Sequence, residues 1–240
     1  MNTIKIVALS DIHYSITPHH GVVQEKSIDY ILDLLILEKP NMFLSAGDFG
    51  TDMNEEQWCK LTNFCINHKI LFYYCYGNHE NKKYIFNNFN FDGTNCLIPD
   101  FDFIEANGLI LSAISGNIGK RLSVWYHKDE TVITIGLNNL LNRLSQNQTK
   151  IHILLTHEMP KLNLLTNEKH GQEIIAYAIK LLQPSLNING HVSIPSEYKL
   201  YANTNTMILH LADFGTTHDY AVVHICPKPF TLHSIDFKSF

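Results

Sequence analysis

Five short apolar runs in this chain each end in side chains able to hold a cation. Residues 4–9 lead into Ser10-Asp11-Ile12-His13, and residues 42–44 into Ala46-Gly47-Asp48. Residues 70–75 lead into Tyr76-Gly77-Asn78-His79-Glu80, residues 151–155 into Thr156-His157-Glu158, and residues 186–188 into Asn189-Gly190-His191. Runs this short and this apolar read as buried strands. An open α/β sheet collects its ligands outside the carboxyl ends of its strands. The recurrence therefore restricts the chain to folds in which several strands end together, and it predicts that the five exits converge.

The stretches between the exits fit that plan. Strands are expected over 3–9, 41–46 and 70–76. Between the first two, residues 22–38 place Ile28, Ile31, Leu32, Leu35 and Ile36 on one helical face, and Pro40 stops the helix. Asn54 suits an N-cap, followed by Glu55 and Glu56 in the first turn. That helix carries Trp58, Leu61, Phe64 and Cys65 inward. The β-α-β-α-β order predicts parallel strands with right-handed crossovers.

Residues 81–100 are rich in Asn and weakly patterned, and read as a short helix and a loop. Asn107-Gly108 marks a hairpin between 101–106 and 108–114. A helix follows near 129–146, although Thr131, Val132, Ile133 and Thr134 are poor helix formers. A strand over 150–155, a helix near 170–182 closed by Pro184 and a strand over 186–189 come next. After Ser196 the segments 197–202, 206–212, 219–226 and 229–237 read as an antiparallel tail without intervening helices. The segment 207–212 also leads to a polar exit, Asp213-Phe214-Gly215. No internal repeat or linker is evident. The expectation is one domain over 1–240, with parallel and antiparallel parts packed as two sheets between helices.

Bulk composition narrows the function classes. With 240 residues, 45% hydrophobic and 17% charged, the chain can bury a core without disulfides. A formal charge of −5 supplies no general attraction to nucleic acid or to an anionic membrane. The five cysteines are odd in number and lack C-x-x-C spacing, which suits reduced thiols in the cytoplasm. The start, Met1-Asn2-Thr3-Ile4-Lys5, does not read as a secretory signal. No run approaches the ~20 apolar residues of a membrane helix.

The exits together hold Asp11, His13, Asp48, Asn78, His79, His157 and His191. Carboxylate, amide oxygen and imidazole suit a borderline divalent ion such as Mn²⁺, Fe²⁺, Zn²⁺, Ni²⁺ or Co²⁺ better than Ca²⁺. Asp11 and His13 are two apart, so an extended exit turns both to one side. A carboxylate such as Asp48 can bridge two ions. Two ions about 3.5–4 Å apart clamp a phosphate and acidify a bound water. His79, beside Asn78, could stay off the metals and give a proton to the leaving oxygen. Gly47, Gly77 and Gly190 each precede a donor, where a missing Cβ lets the backbone come close.

The ordered set Asp11-Ile12-His13, Gly47-Asp48, Gly77-Asn78-His79-Glu80, Thr156-His157 and Gly190-His191 resembles the calcineurin-like metallophosphoesterases. The resemblance covers residues 4–193. It implies a four-layer α/β/β/α sandwich of two mixed sheets with a dinuclear site. By that likeness Asp11 and His13 hold the first ion, Asp48 bridges, and Asn78, His157 and His191 hold the second. His79 contacts the scissile phosphate and assists the leaving group. Mn²⁺ is the first choice of metal.

One position departs. The family ends its last motif Gly-His-x-His, and here Ser193 stands at the second His. A hydroxyl is a weak ligand, so unequal occupancy is expected, with the first ion held less tightly. The same departure admits a scaffold that binds another protein in place of catalysis. For substrate, Asn117 and Arg121 are the candidate contacts. They belong to a loop with Lys120, Trp125, His127 and Lys128 that suits a phosphate and a base. A small, nucleotide-derived phosphodiester is the leading reading and a phosphomonoester the alternative; long nucleic acid is disfavoured. Tyr14 and Phe49 either line the cleft or pack under the loops. Asp52 is a candidate to orient His79, and Pro18-His19-His20 is either a surface loop or a third metal site. The 197–237 strands offer an edge on which two copies could pair.

Overall fold

The computed structural model describes residues 3–18, 23–119, 125–162 and 171–240. In chain order the elements are β1 (Ile4–Leu9), α1 (Ser27–Glu38), β2 (Met42–Ser45), α2 (Glu55–Asn67), β3 (Leu71–Tyr74), β4 (Phe103–Ala106), β5 (Leu109–Ile114), β6 (Asn117–Ile118) and β7 (His127–Lys128). They continue as α3 (Glu130–Gln146), β8 (Ile153–Thr156), α4 (Glu173–Leu182), β9 (Leu186–Asn189), β10 (Glu197–Leu200), β11 (Met207–His210), α5 (Phe214–Thr217), β12 (Asp219–Pro227) and β13 (Phe230–Ser239).

Two mixed sheets result. The first runs β13-β12-β1-β2-β3, with β1, β2 and β3 mutually parallel and β12 and β13 antiparallel. The second runs β10-β11-β9-β8-β5-β4, with a parallel centre of β11, β9, β8 and β5 and antiparallel edges. Period-two alternation of side chains assigns each strand's two faces. Ile4, Ile6 and Ala8 of β1 point to the layer that also holds Leu109, Leu111, Ile153, Leu155 and Ile188 of the second sheet. Val7 and Leu9 point the other way, to Ile31, Leu35, Trp58 and Leu61 of α1 and α2. On the far side, Leu154 and Ile208 meet Ile133, Leu137, Leu140 and Ile179 of α3 and α4. The layers are helix, sheet, sheet, helix, as the resemblance implied.

The local signals explain most boundaries. Asn54 caps α2, its Oδ1 accepting from Glu56 N at 2.8 Å. α1 stops at Lys39, which turns left-handed (φ 47°) and closes onto Leu35 O just before Pro40. Asn107 and Gly108 both have positive φ, 51° and 76°, as a two-residue hairpin turn requires. α3 forms despite its β-branched start because Asp129 Oδ1 accepts from Val132 N at 2.8 Å.

Several expectations need correction. The tail is neither wholly antiparallel nor free of helix: β11 pairs parallel with β9, and the one-turn α5 separates β11 from β12. Its strands also divide, β10 and β11 joining the second sheet and β12 and β13 the first. Residues 81–100 form turns and isolated bridges, with no helix. On α1, Leu34 is buried and Ile36 is exposed, so the inward face is rotated from the one expected. His19 and His20 lie outside the described residues. Among the described residues the cysteines are all free, and no helix is long and apolar enough to cross a membrane.

Candidate metal centre

The six expected ligands and His79 follow the carboxyl ends of five strands. Asp11 and His13 leave β1, Asp48 leaves β2, and Asn78 and His79 leave β3, three neighbours in the first sheet. His157 leaves β8 and His191 leaves β9, neighbours in the second. Parallel pairing makes adjacent strands end at the same level, so the exits meet across the two sheets. The donor atoms of Asp11, His13 and Asp48 lie within 4.8 Å of one another, as do those of Asp48, His157 and His191. Asp48 belongs to both groups. Asp11, His13, Asp48 and His191 line a cleft of about 210 Å³ together with Asn78, His79 and Ser193, and His157 lies buried behind them.

The backbone is bent to bring them there. Asp11, His13, Asp48 and His191 have φ of 54°, 48°, 58° and 68°. This left-handed region costs a residue with a Cβ about 1–3 kcal/mol when the surroundings impose it. The two loops hold each other: Asp11 N donates to Gly47 O at 2.9 Å, His13 N to Asp48 O at 2.9 Å and Tyr14 N to Phe49 O at 2.7 Å. Close approach explains two of the glycines. A Cβ at Gly77 would run into Asp48 Oδ1 and the His157 ring, and one at Gly190 into Ser10 Oγ and Asp11 Oδ2.

Second contacts orient Asp48, Asp11 and His157. Asp48 Oδ1 accepts from Asn78 N at 2.6 Å and His79 N at 2.8 Å, leaving Oδ2 toward His157 Nε2 (3.4 Å) and His13 Nε2 (3.8 Å). Glu80 Oε1 accepts from Asp48 N at 2.5 Å. Asp11 Oδ2 accepts from Ser10 Oγ at 2.6 Å and His191 N at 2.9 Å, while Oδ1 lies 3.7 Å from His13 Nε2. His157 Nδ1 is 2.9 Å from Ala46 O, which can only accept, so Nδ1 carries the proton. Its Nε2 then faces Asp48 Oδ2 at 3.4 Å, Asn78 Oδ1 at 3.3 Å and His191 Nδ1 at 3.0 Å. One N–H could serve only one of those three. A divalent cation would serve all of them, so the residues present fit the metal that the motif implies.

Without a cation the charges lean on one another. Burial raises the carboxyls of Asp48 and Asp11, but the imidazoles of His157 and His13 outweigh it and hold both below the usual range. Burial lowers the His157 imidazole, yet Asp48, Asp11 and Glu80 lift it to about 10. Burial keeps His79 low against the pull of Asp48. It also pushes Glu80 up to about 8, helped by the Asp48 charge.

Other expectations end elsewhere. Tyr14 and Phe49 are buried under the loops with Trp58 and Tyr74. Asp52 Oδ2 accepts from Ile16 N at 2.9 Å. Asn117 sits in the two-residue ladder with His127 and is not among the residues that line the cleft. Lys128 is engaged structurally, bonding Tyr76 Oη at 2.8 Å and pairing with Asp100 at 2.9 Å. Arg121 lies outside the described residues. The reading of the sequence did not count Asp213, which lines the cleft beside Ser193. Its signal was present, since it too stands at the exit of an apolar run.

No curated protein sequence matches the chain. Among solved structures it is similar to TT1561 of Thermus thermophilus, with a TM-score of 0.73, 12% identity and 99% of each chain covered. It is also similar to GAP50, the anchor in the inner membrane complex of Plasmodium. There the TM-score is 0.51 and the identity 13%, with 99% of this chain and 89% of that one covered. A family profile described as calcineurin-like phosphoesterase matches residues 4–195, a span that begins before Asp11 and ends after His191. The chain belongs to the calcineurin-like phosphoesterase family.

Proposed function

We propose that this protein hydrolyses a small phosphodiester at a dinuclear centre. The observation that carries the reading is the sharing of Asp48 between two donor groups on the floor of one cleft. Asp11 and His13 would complete the first position; Asn78, His157 and His191 would complete the second. Two divalent ions bound there, Mn²⁺ first among the candidates, would polarise the phosphate and acidify the attacking water. The chain's own part is positioning. Glu80 and the Asn78 and His79 amides fix the two ends of Asp48, and Ala46 O fixes the His157 tautomer. His79 lines the cleft with its ring 5.1 Å from that of His13, on the side of the first position. Burial lowers its imidazole against the pull of Asp48, and its imidazolium form would give the proton to the leaving oxygen.

The cleft volume of about 210 Å³ suits a phosphate and a small substituent better than a polymer. A phosphomonoester is the second reading within the same chemistry. A metal-binding scaffold is the non-enzymatic one, favoured by Ser193 at a ligand position. GAP50 is described as an anchor, and its likeness to this chain extends to the fold. The setting proposed is the cytoplasm.

The test is turnover of a diester, a monoester and cyclic nucleotides with Mn²⁺. Diester hydrolysis should exceed monoester hydrolysis. Asn78→Ala and His157→Ala should each lower the rate by roughly 10²-fold or more with an unchanged circular dichroism spectrum. Metal binding without turnover on any member of the panel would favour the scaffold.

A further inference from the structure

The second donor group has Asp48, Asn78, His157 and His191, whereas Ser193 leaves the first with only Asp11, His13 and Asp48. The cleft contains one more carboxylate. Asp213 follows β11, which runs parallel to β9, so its exit falls at the same level as that of His191. Its backbone is laced to the first ligand loop. Phe214 N donates to Ser10 O and Gly215 N to Asp11 O, each at 3.0 Å, bridging Ser10 with Asp213. Asp213 lines the cleft with Asp11, His13 and Ser193, and its charge acts on His13 and Asp11.

Local structure accounts for this side chain only in part. Asp213 stands at the N-cap of α5 but gives that helix no side-chain capping bond, and burial raises its carboxyl against the pull of His13 and of Thr216 across the turn. Its Oδ1 is buried and has no hydrogen-bond partner among the described residues. A buried carboxylate oxygen without a partner is destabilising, and a cation in the cleft would offset that.

We propose that Asp213 supplies the fourth donor of the first metal position, in place of the imidazole that residue 193 lacks. The proposal rests on the dinuclear reading above. It makes the two positions chemically unlike. The first has three carboxylates and one imidazole. The second has one carboxylate, one amide and two imidazoles. Oxygen-rich sets suit Mn²⁺, and imidazole suits Zn²⁺. Relative to the second, the first position therefore selects Mn²⁺ over Zn²⁺.

The test is calorimetric titration of the chelated full chain with Mn²⁺, read alongside electron paramagnetic resonance for coupling between two ions. Wild type should bind two Mn²⁺, the first position more weakly, with a coupled spectrum. Asp213→Asn should keep the tighter ion, which also shows that it is folded. It should weaken the other by at least about tenfold, the lower end of the loss that outer-shell partners alone cause, and abolish the coupling. Asp213→Ser should behave alike, and Ser193→Ala should match wild type. Two Mn²⁺ bound by Asp213→Asn with wild-type constants overturns the role of Asp213 and leaves the dinuclear reading standing. Fewer than two bound by wild type overturns both.

Discussion

Asn78 and His79 are neighbours in one loop, yet the chain uses them differently. Both backbone amides donate to Asp48 Oδ1. Their side chains then diverge, Asn78 Oδ1 toward His157 Nε2 at 3.3 Å and the His79 ring toward His13. Removing the His79 imidazole leaves its amide, and with it the orientation of Asp48. His79→Ala should therefore retain its metal while its rate falls about 10²–10⁴-fold, the usual worth of a positioned acid. Metal analysis beside steady-state kinetics checks this; a variant that loses its metal would contradict the role assigned to His79. At this scale the candidate site was largely legible, because every candidate donor stands just after an apolar run. Asp213 was the omission. Its run resembles the others, but nothing local says that its exit lies next to Asp11.

Among the elements, the Asn-rich segment 81–100 departs most from its reading. Asn90 Oδ1 accepts from Phe72 N at 2.7 Å and its Nδ2 donates to Phe72 O at 3.0 Å. One side chain thus imitates a neighbouring strand along the free edge of β3. Asn88 Nδ2 donates to Tyr74 Oη at 3.0 Å, and Cys96 O and Tyr74 O complete the cover through Tyr74 N and Ile98 N. A helix would have pointed these amides away from the edge. Asn90→Ala leaves a buried N–H and C=O of β3 unpaired, which should cost about 1–3 kcal/mol. Urea unfolding measures it, and an unmoved midpoint would show that water replaces the amide without loss. Composition showed the asparagines. Which backbone they would serve depended on where β3 ended up.

At the scale of the whole molecule, Glu38 joins distant parts of the chain. From the end of α1 it pairs with Lys5 Nζ of β1 at 2.6 Å and Lys238 Nζ of β13 at 2.7 Å, and accepts from Tyr220 Oη of β12 at 2.9 Å. Burial raises its carboxyl, but Lys238, Lys5 and Tyr220 outweigh it and bring it from 4.5 down to about 2. A carboxyl with a depressed folded value stabilises the fold above its unfolded value. That contribution is lost as the pH falls from 4.5 through about 2. Glu38→Gln should therefore unfold about 1–3 kcal/mol more easily at pH 7, the partly exposed lysines holding the figure down. The gap to wild type should narrow between pH 4.5 and 2. Denaturant titrations at pH 7 and pH 3 test this, and a gap independent of pH would mean that the lost stability is not that of a charge.

Local chemistry determined a good deal without help from the fold. The apolar runs, the cap at Asn54, the turn at Asn107-Gly108 and the donors at the exits all follow from residues a few positions apart. Pairing over long separations was decided elsewhere. Ala8 lies opposite Ala221, Met207 opposite Leu186 and Leu71 opposite Met42, each chosen by which faces could be buried together. Those choices split the tail between two sheets, set β11 parallel to β9 and delivered Asp213 to the cleft. Strand formation is a property of a short window, whereas strand order depends on the burial of surfaces that meet only once the chain has closed on itself.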